Sequence, residues 1–335
     1  MNRQKTTLTV LLGLLALCAG AYLALRMWNS SHPPATDTIS VTAFSDPSSF
    51  SFLGTDGESL SFTKQNGVWQ WNEDSTFPAD QSAVESLAED LSHVEAVRAI
   101  SDPEPLSAYG LDSPAYTIQV ADSGGMGATL LIGAAVNSDY YAALEGGETV
   151  YTISSSLLDT LSIGLMDLAE PESIPSVRED NIQSIQWESG GTTLLLTKDT
   201  ETLSVESEDT GSVETVTEYH WTVNGNAVPQ DNETLSLLLD ELSFLGFSSC
   251  YDYDAEESVL ASCGLTEPAL VLTVSYDDGQ SFTLSVGQMD GDGTYRFALL
   301  NDSRAIQRLS ASSIDVLMGL TQEQLLTAPD TEEDT

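Results

Sequence analysis

Residues Tyr109–Gly133 (YGLDSPAYTIQVADSGGMGATLLIG) lie on Cys263–Gly287 (CGLTEPALVLTVSYDDGQSFTLSVG) at a constant offset of 154 with no gap, and nine of the 25 positions coincide. The identities are Gly110, Leu111, Pro114, Ala115, Val120, Gly125, Thr129, Leu130 and Gly133. At an offset of 151, Pro78 meets Pro229 and Asp80 meets Asp231. There the stripe Val84, Leu87, Ala88, Leu91, Val94 meets Leu235, Leu238, Leu239, Leu242, Leu245. Trp71 meets Trp221 at an offset of 150. Repetition at this spacing predicts two tandem domains rather than the short units of a solenoid.

Each copy has readable elements. Apolar positions at i, i+3, i+4 and i+7 predict an amphipathic helix over Asp80 to Val97 and again over Asp231 to Gly246, with Asp80 and Asp231 as N-caps. The runs LSFTKQ and VWQWNE before the first helix alternate with the period of a half-buried strand, which sets Trp69 and Trp71 on one face. PLSAYGL and VLASCGL read as single helical turns closed by Gly110 and Gly264 in the left-handed conformation, with the following leucine packing back. Pro114 and Pro268 stop the turns. Strands AYTIQV, ATLLIG, YYAALEG and TVYTIS follow, then a short helix. The predicted fold class is α+β: two tandem homologous domains, 41–170 and 178–326, each mostly antiparallel strands with one main amphipathic helix and a short C-terminal helix. The second copy alone carries an insert, 199–218, whose alternation predicts an extended hairpin. Thr200 to Glu218 holds six acids and no base.

Ahead of the body, Thr6 to Leu25 is an uncharged, mostly apolar run between Arg3/Lys5 and Arg26. As a helix it would be about 30 Å long, the thickness of a bilayer core. Residues 1–28 are therefore expected to be a cytoplasmic N-terminus and single-pass transmembrane anchor, with the basic end inside and the body extracytoplasmic at the cell membrane. A cleaved signal peptide would carry a shorter apolar core. A lipobox needs a small residue where Leu17 precedes Cys18. Residues 29–40, with Pro33-Pro34, read as a stalk, and 327–335 as an acidic disordered tail.

The chain has 52 acidic and 10 basic residues. Three of the bases precede Trp28 and no acid does, so the remainder carries 52 acids and 10 − 3 = 7 bases, a formal −45. Such a surface excludes nucleic acid as a partner and stands away from anionic headgroups.

The chemistry-bearing residues are sparse. His32, His93 and His220 are scattered, and no zinc-protease, nucleophile-elbow, Cys-x-x-Cys or Walker A pattern occurs. No catalytic residue and no cofactor is predicted. Asp290 and Asp292 at a hairpin tip, and Asp252 and Asp254 in an acidic loop running to Glu257, are weak calcium candidates without EF-hand spacing. Cys250 and Cys263 are the cysteines outside the apolar segment, and a disulfide or two buried free thiols are equal readings.

Trp71, Phe77-Pro78-Ala79-Asp80, Tyr109 to Pro114, Thr129 to Gly133 and Tyr140-Tyr141, behind an N-terminal anchor, resemble domain-of-unknown-function family 4340. The resemblance covers Ser40 to Leu325, more weakly in the second copy, where Cys263 replaces the tyrosine. It carries no catalytic residues. It implies a cell-envelope protein encoded beside ABC-type exporters, and hence a transporter as partner. The expected function is a non-enzymatic accessory of an export or envelope-assembly complex. The alternatives are an acidic cation-binding or surface-adhesion module, and then an enzyme of unrecognised type.

Overall fold

The computed structural model describes residues 39–206, 213–277 and 279–328; the expected anchor, most of the stalk and nearly all of the acidic tail lie outside them. The described residues form an α+β protein with two antiparallel sheets and a few short helices. Among them, no helix is long and apolar enough to cross a membrane.

By contacts the chain divides into two compact units. One takes the described residues up to Ala43, with His93–Ala115 and Leu130–Ser155; the other takes Phe44–Ser92, Tyr116–Thr129 and the rest from Ser156. In the first unit β1 (Ile39–Ser40) pairs with β5 (Glu95–Ile100), which pairs with β9 (Val150–Ser154). Strand β8 (Asp139–Leu144) lies between β9 and β7 (Gly127–Val136). Leu111, Ala143 and Val150 form its small core, with Tyr109 and Tyr141 edge to face at 4.8 Å.

The second unit contains β2 (Pro47–Leu53), β3 (Ser59–Gln65), β4 (Val68–Trp71) and β6 (Tyr116–Asp122), with helix α1 (Gln81–Ser92) packed on β2, β4 and β6. Beside buried Leu60, Ile118 and Val120 they hold an aromatic cluster of Phe50, Phe52, Phe62 and Trp69 with Phe77, neighbouring ring centroids lying 5.4 to 6.2 Å apart. The same unit holds all of the second sheet: β10 (Ile182–Ser189), β11 (Thr192–Glu206), β12 (Val213–Val223), β13 (Asn226–Ala227), β14 (Ser249–Asp252), β15 (Leu270–Tyr276), β16 (Gln280–Met289), β17 (Tyr295–Leu300) and β18 (Ile306–Ser310). Its core is mainly aliphatic, and β15 alternates buried with half-buried positions along its whole length.

The first sheet runs β1-β5-β9-β8-β7-β6-β2-β3-β4 and the second, from the corresponding end, β14-β18-β17-β16-β15-β10-β11-β12-β13. From β5 and β14 onward the two orders match strand for strand, with β1 and β13 as additions at opposite ends.

The helices are shorter than the apolar spacing predicts. Helix α1 ends at Ser92 and α3 (Glu233–Ser243) ends before Gly246. Beyond Ser92 the burial period switches to two, with Val94 and Ala96 buried and Glu95 and Val97 exposed, so 95–100 is strand β5. The stripe itself is as predicted: Val84, Leu87, Ala88 and Leu91 are buried in α1, and Leu235, Leu238, Leu239 and Leu242 in α3. Each fully buried leucine contributes about 1.5–3 kcal/mol.

Asp80 caps α1, its carboxylate accepting from the Ser82 and Ala83 amides at 2.9 and 3.0 Å. Asp231 does not cap α3. Asn232 does, accepting from Leu235 N at 2.8 Å, so the second helix begins one residue later against the same stripe. The Asn232 side chain is buried, and its Nδ2 donates to the carbonyls of Gln324, Leu325 and Thr327 at 2.9, 3.2 and 2.9 Å. It fixes helix α6 (Gln322–Leu326) as well as α3.

Gly110 and Gly264 take φ of 69° and 71°, and Leu111 N and Leu265 N reach back to Leu106 O and Leu260 O at 3.0 and 2.9 Å. Just beyond Pro114 and Pro268, the Ala115 and Ala269 amides donate to Ile132 O and Val286 O, both at 2.8 Å. A Cβ on Gly133 would stand 2.3 Å from Tyr109 O, and one on Gly287 2.2 Å from Cys263 O. In each copy the strand glycine therefore lies against the carbonyl just before the turn glycine, where only hydrogen fits.

Candidate docking site

The β3–β4 and β11–β12 hairpins each set a lysine opposite a tryptophan. Lys64 pairs with Trp69 in register, and Lys198 with Trp221. The partner of Trp221 in the first sheet is therefore Trp69 and not Trp71, whose equivalent is Val223. Trp69 and Trp221 are buried, whereas Trp71 is half-buried against Phe77, so the two tryptophans of β4 share a face but not a role.

In the first hairpin the helix closes over this pair. Glu85 of α1 accepts from Lys64 Nζ at 2.7 Å and from Trp69 Nε1 at 2.6 Å. The lysine bond, first, and the indole bond hold its carboxyl below the usual range, against partial burial. Gln81 seals the backbone beside it: its Oε1 accepts from Trp69 N at 2.7 Å and its Nε2 donates to Trp69 O at 3.0 Å. The edge of β4 is thus occupied by a side-chain amide that imitates a strand.

In the second hairpin the position of Glu85 is Ser236, at the offset of 151 that aligns the buried stripes. The carboxylate comes instead from Glu179, outside the helix, accepting from Trp221 Nε1 at 3.0 Å. Lys198 Nζ donates to the carbonyls of Glu179 and of Asp180, the latter at 2.9 Å, and lies 4.4 Å from the Tyr219 ring. Burial pushes its pKa down, against the nearby acids. With serine where a glutamate would close the space, a cleft of about 660 Å³ remains between the hairpin and α3. Trp221, Tyr219 and Phe244 give it aromatic surface; Gln230, Ser236 and Ser243 are polar; Glu179, Glu218 and Asp240 are acidic, against Arg178. Phe244 is 87% exposed.

The hairpin continues past the cleft. From Asp199↔His220 to Glu206↔Val213 the strands make eight further rungs, where the first hairpin makes one, Gln65↔Val68. At ~3.4 Å per residue this is about 27 Å of ribbon. Strand β10 pairs with β11 no further than Thr197, and β13 meets β12 only at Thr222 and Val223. Among the described residues the ribbon has no third strand. One face carries Asp199, Glu201, Glu218 and His220, the last with Nε2 at 3.6 and 3.9 Å from Glu201 and Glu218. The expected extended hairpin at 199–218 is present in its described part, and its tip, 207–212, lies outside the described residues.

The calcium candidates are engaged within the chain. Asp290 Oδ1 accepts from Thr294 N and Tyr295 N at 3.0 and 3.1 Å, closing a turn in which Asp292 is exposed. Asp252 Oδ1 accepts from Asp254 N at 3.1 Å, and Asp254 faces Arg304 Nε at 3.5 Å. Among the described residues no group of three or more His, Cys, Asp or Glu is placed to hold a metal ion. Between these aspartates, Tyr253 donates to Asp74 Oδ2 at 2.8 Å and meets the Phe77 ring at 5.2 Å. Burial, then the Asp74 hydrogen bond, pushes its phenol to about 12.

Cys250 and Cys263 are free and buried. Cys250 lies opposite Gln307 on β18, and Cys263 packs with Ala255, Leu260, Leu265 and Ile306. Burial pushes the Cys250 thiol to about 11 and raises Cys263 as well. His93 is exposed just past the end of α1.

Sequence reasoning passed over Gln81, Glu85, Glu179, Asn232 and Ser236. The exchange of Glu85 for Ser236 at one offset was the signal that could have found the cleft.

The described molecule is thus an α+β protein of two antiparallel sheets, each with a lysine–tryptophan hairpin under an amphipathic helix. Residues 69–220 match the family described as Domain of unknown function (DUF4340). That span opens on Trp69 and closes beside Trp221. No curated protein and no solved structure matches the chain.

Proposed function

We propose that this protein is a single-pass envelope protein whose extracytoplasmic body is two copies of one unit, and that it works by docking rather than by catalysis. Three observations support the duplication: the gapless 154-residue offset, the strand orders that match element by element, and the paired turn and strand glycines. The partner in this reading is an ABC-type exporter or envelope-assembly complex. The observation that carries the docking role is the two-stranded acidic ribbon, which only the second hairpin has. A two-stranded ribbon contributes little stability by itself, so about 27 Å of it is better explained by a partner than by the fold. A body at −45 recognises a basic partner surface, with association that weakens as salt rises.

The test is recovery of partners from native membranes with the full chain and with a form whose ribbon is excised. The expected result is a co-purifying membrane complex with the full chain, lost on excision and reduced at high salt. Equal recovery with and without the ribbon would remove the ribbon from the interface. A body released into the medium, beginning after residue 20, would overturn the anchor.

A further inference from the structure

We propose that the cleft at Trp221 and the outer edge of β12 together form one binding site for an extended peptide segment bearing lysine or arginine, which adds to β12 as a further strand. The inference rests on the docking reading above and gives its partner a chemistry.

The edge is defined by bonds already present. Trp221 O accepts from Val228 N at 2.9 Å, and Tyr219 O accepts from Gln230 Nε2 at 3.2 Å. These carbonyls therefore point away from β11. With the two-residue period of a strand, the next outward-facing backbone groups are those of Thr217 and Thr215. Among the described residues no strand pairs with β12 there. An antiparallel or parallel segment laid along this edge would satisfy those amides and carbonyls, as in other strand-addition complexes.

The adjoining cleft supplies side-chain selection. Alternate residues of an added strand project to the face on which Tyr219 and Trp221 lie, between the ribbon and α3. They enter a space of about 660 Å³ that no side chain of α3 fills, because Ser236 stands where α1 has Glu85. Glu179 and Asp240 line it beside aromatic surface, a setting that suits a long cationic side chain with an apolar stem. Lys198 does not compete for that space, since the Glu179 and Asp180 carbonyls and the Tyr219 ring hold it. The first hairpin lacks the same capacity at both points. Glu85 fills the position and Gln81 covers the edge.

The experiment titrates purified full-length protein with a synthetic peptide of about eight residues alternating lysine and valine, and with its glutamate analogue, by calorimetry. Two variants separate the parts of the site: Thr217→Pro removes an outward amide from an edge strand, where proline is tolerated, and Ser236→Phe fills the cleft without changing charge. The expected result is saturable binding of the lysine peptide, no binding of the glutamate peptide, and a loss of roughly tenfold or more in affinity in each variant. Binding that is equal in wild type and both variants would mean diffuse attraction to an acidic body and would overturn the site, as would no binding at millimolar peptide. This titration needs neither the anchor nor a transporter. A peptide that binds while no membrane partner is recovered would refute the accessory role and leave the site standing.

Discussion

The β3–β4 and β11–β12 hairpins occupy the same place in their sheets and end in opposite ways. The first is sealed: one rung past its tryptophan the chain turns, Gln81 covers the backbone, and Glu85 ties lysine, indole and helix together. The second has the same lysine–tryptophan rung, but a serine on the helix, a cleft above the indole and eight further rungs of ribbon. The difference teaches that the shared rung belongs to the fold, and that what differs around it in the second hairpin is what a function would use.

The largest effect that bears on this contrast is in the shared rung. Trp69→Ala and Trp221→Ala should each cost about 3–5 kcal/mol in urea unfolding, because each deletes a fully buried ring. Trp71→Ala should cost clearly less, since that ring is half-buried and bonded only through Nε1 to Ser59 O. A Trp71 penalty equal to that of Trp69 would break the equivalence of Trp69 with Trp221.

A smaller effect separates the helix positions. Glu85→Ala should cost about 1–2 kcal/mol by leaving the Trp69 indole and Lys64 without their partner, the lower end reflecting partial exposure, whereas Ser236→Ala should stay within about 0.5 kcal/mol. The same carboxylate gives the first hairpin an acid sensitivity. Its pKa is lowered in the folded state, so its contribution is full above the ordinary value of 4.5 and is lost as pH falls through the folded value. The stability gap between wild type and Glu85→Gln should therefore narrow from pH 7 to pH 3. An unchanged gap would mean that the Lys64–Glu85 contact is not ionic.

The smallest effect is on the ribbon. Register sets Asp199 opposite His220, as Gln65 is opposite Val68, so removing 200–219 and joining Asp199 to His220 through Asn-Gly copies the first hairpin's turn. Stability should change by less than about 1 kcal/mol, since two strands without a third contribute little. A loss of several kcal/mol would make the ribbon part of the fold.

Much of this was legible in the sequence and some was not, for physical reasons. The stripes of α1 and α3, the left-handed glycines and the extended hairpin follow from periodicity and turn chemistry, which are local. Strand β5 was hidden because Val94 and Val97 continue the three-residue apolar spacing of the helix before them, and only the sheet decides otherwise. Trp71 was matched to Trp221 because both precede the helix at similar distances. Strand register, which moves side chains in steps of two, assigns Trp69 instead. Glu179 and Asn232 act across 42 and 92 or more residues, and no spacing rule reaches that far.

Asn232 also orders events in time. Its side-chain nitrogen donates to the carbonyls at 324, 325 and 327, and Leu320 and Leu325 complete the core it borders. A chain delivered N-terminus first presents all the strands of the first sheet by Ser154. The second sheet lacks the carbonyls that hold this side chain until Thr327 has emerged. Any tag or truncation placed before Thr327 would therefore be felt some ninety residues upstream, at the start of α3 and beside the mouth of the cleft.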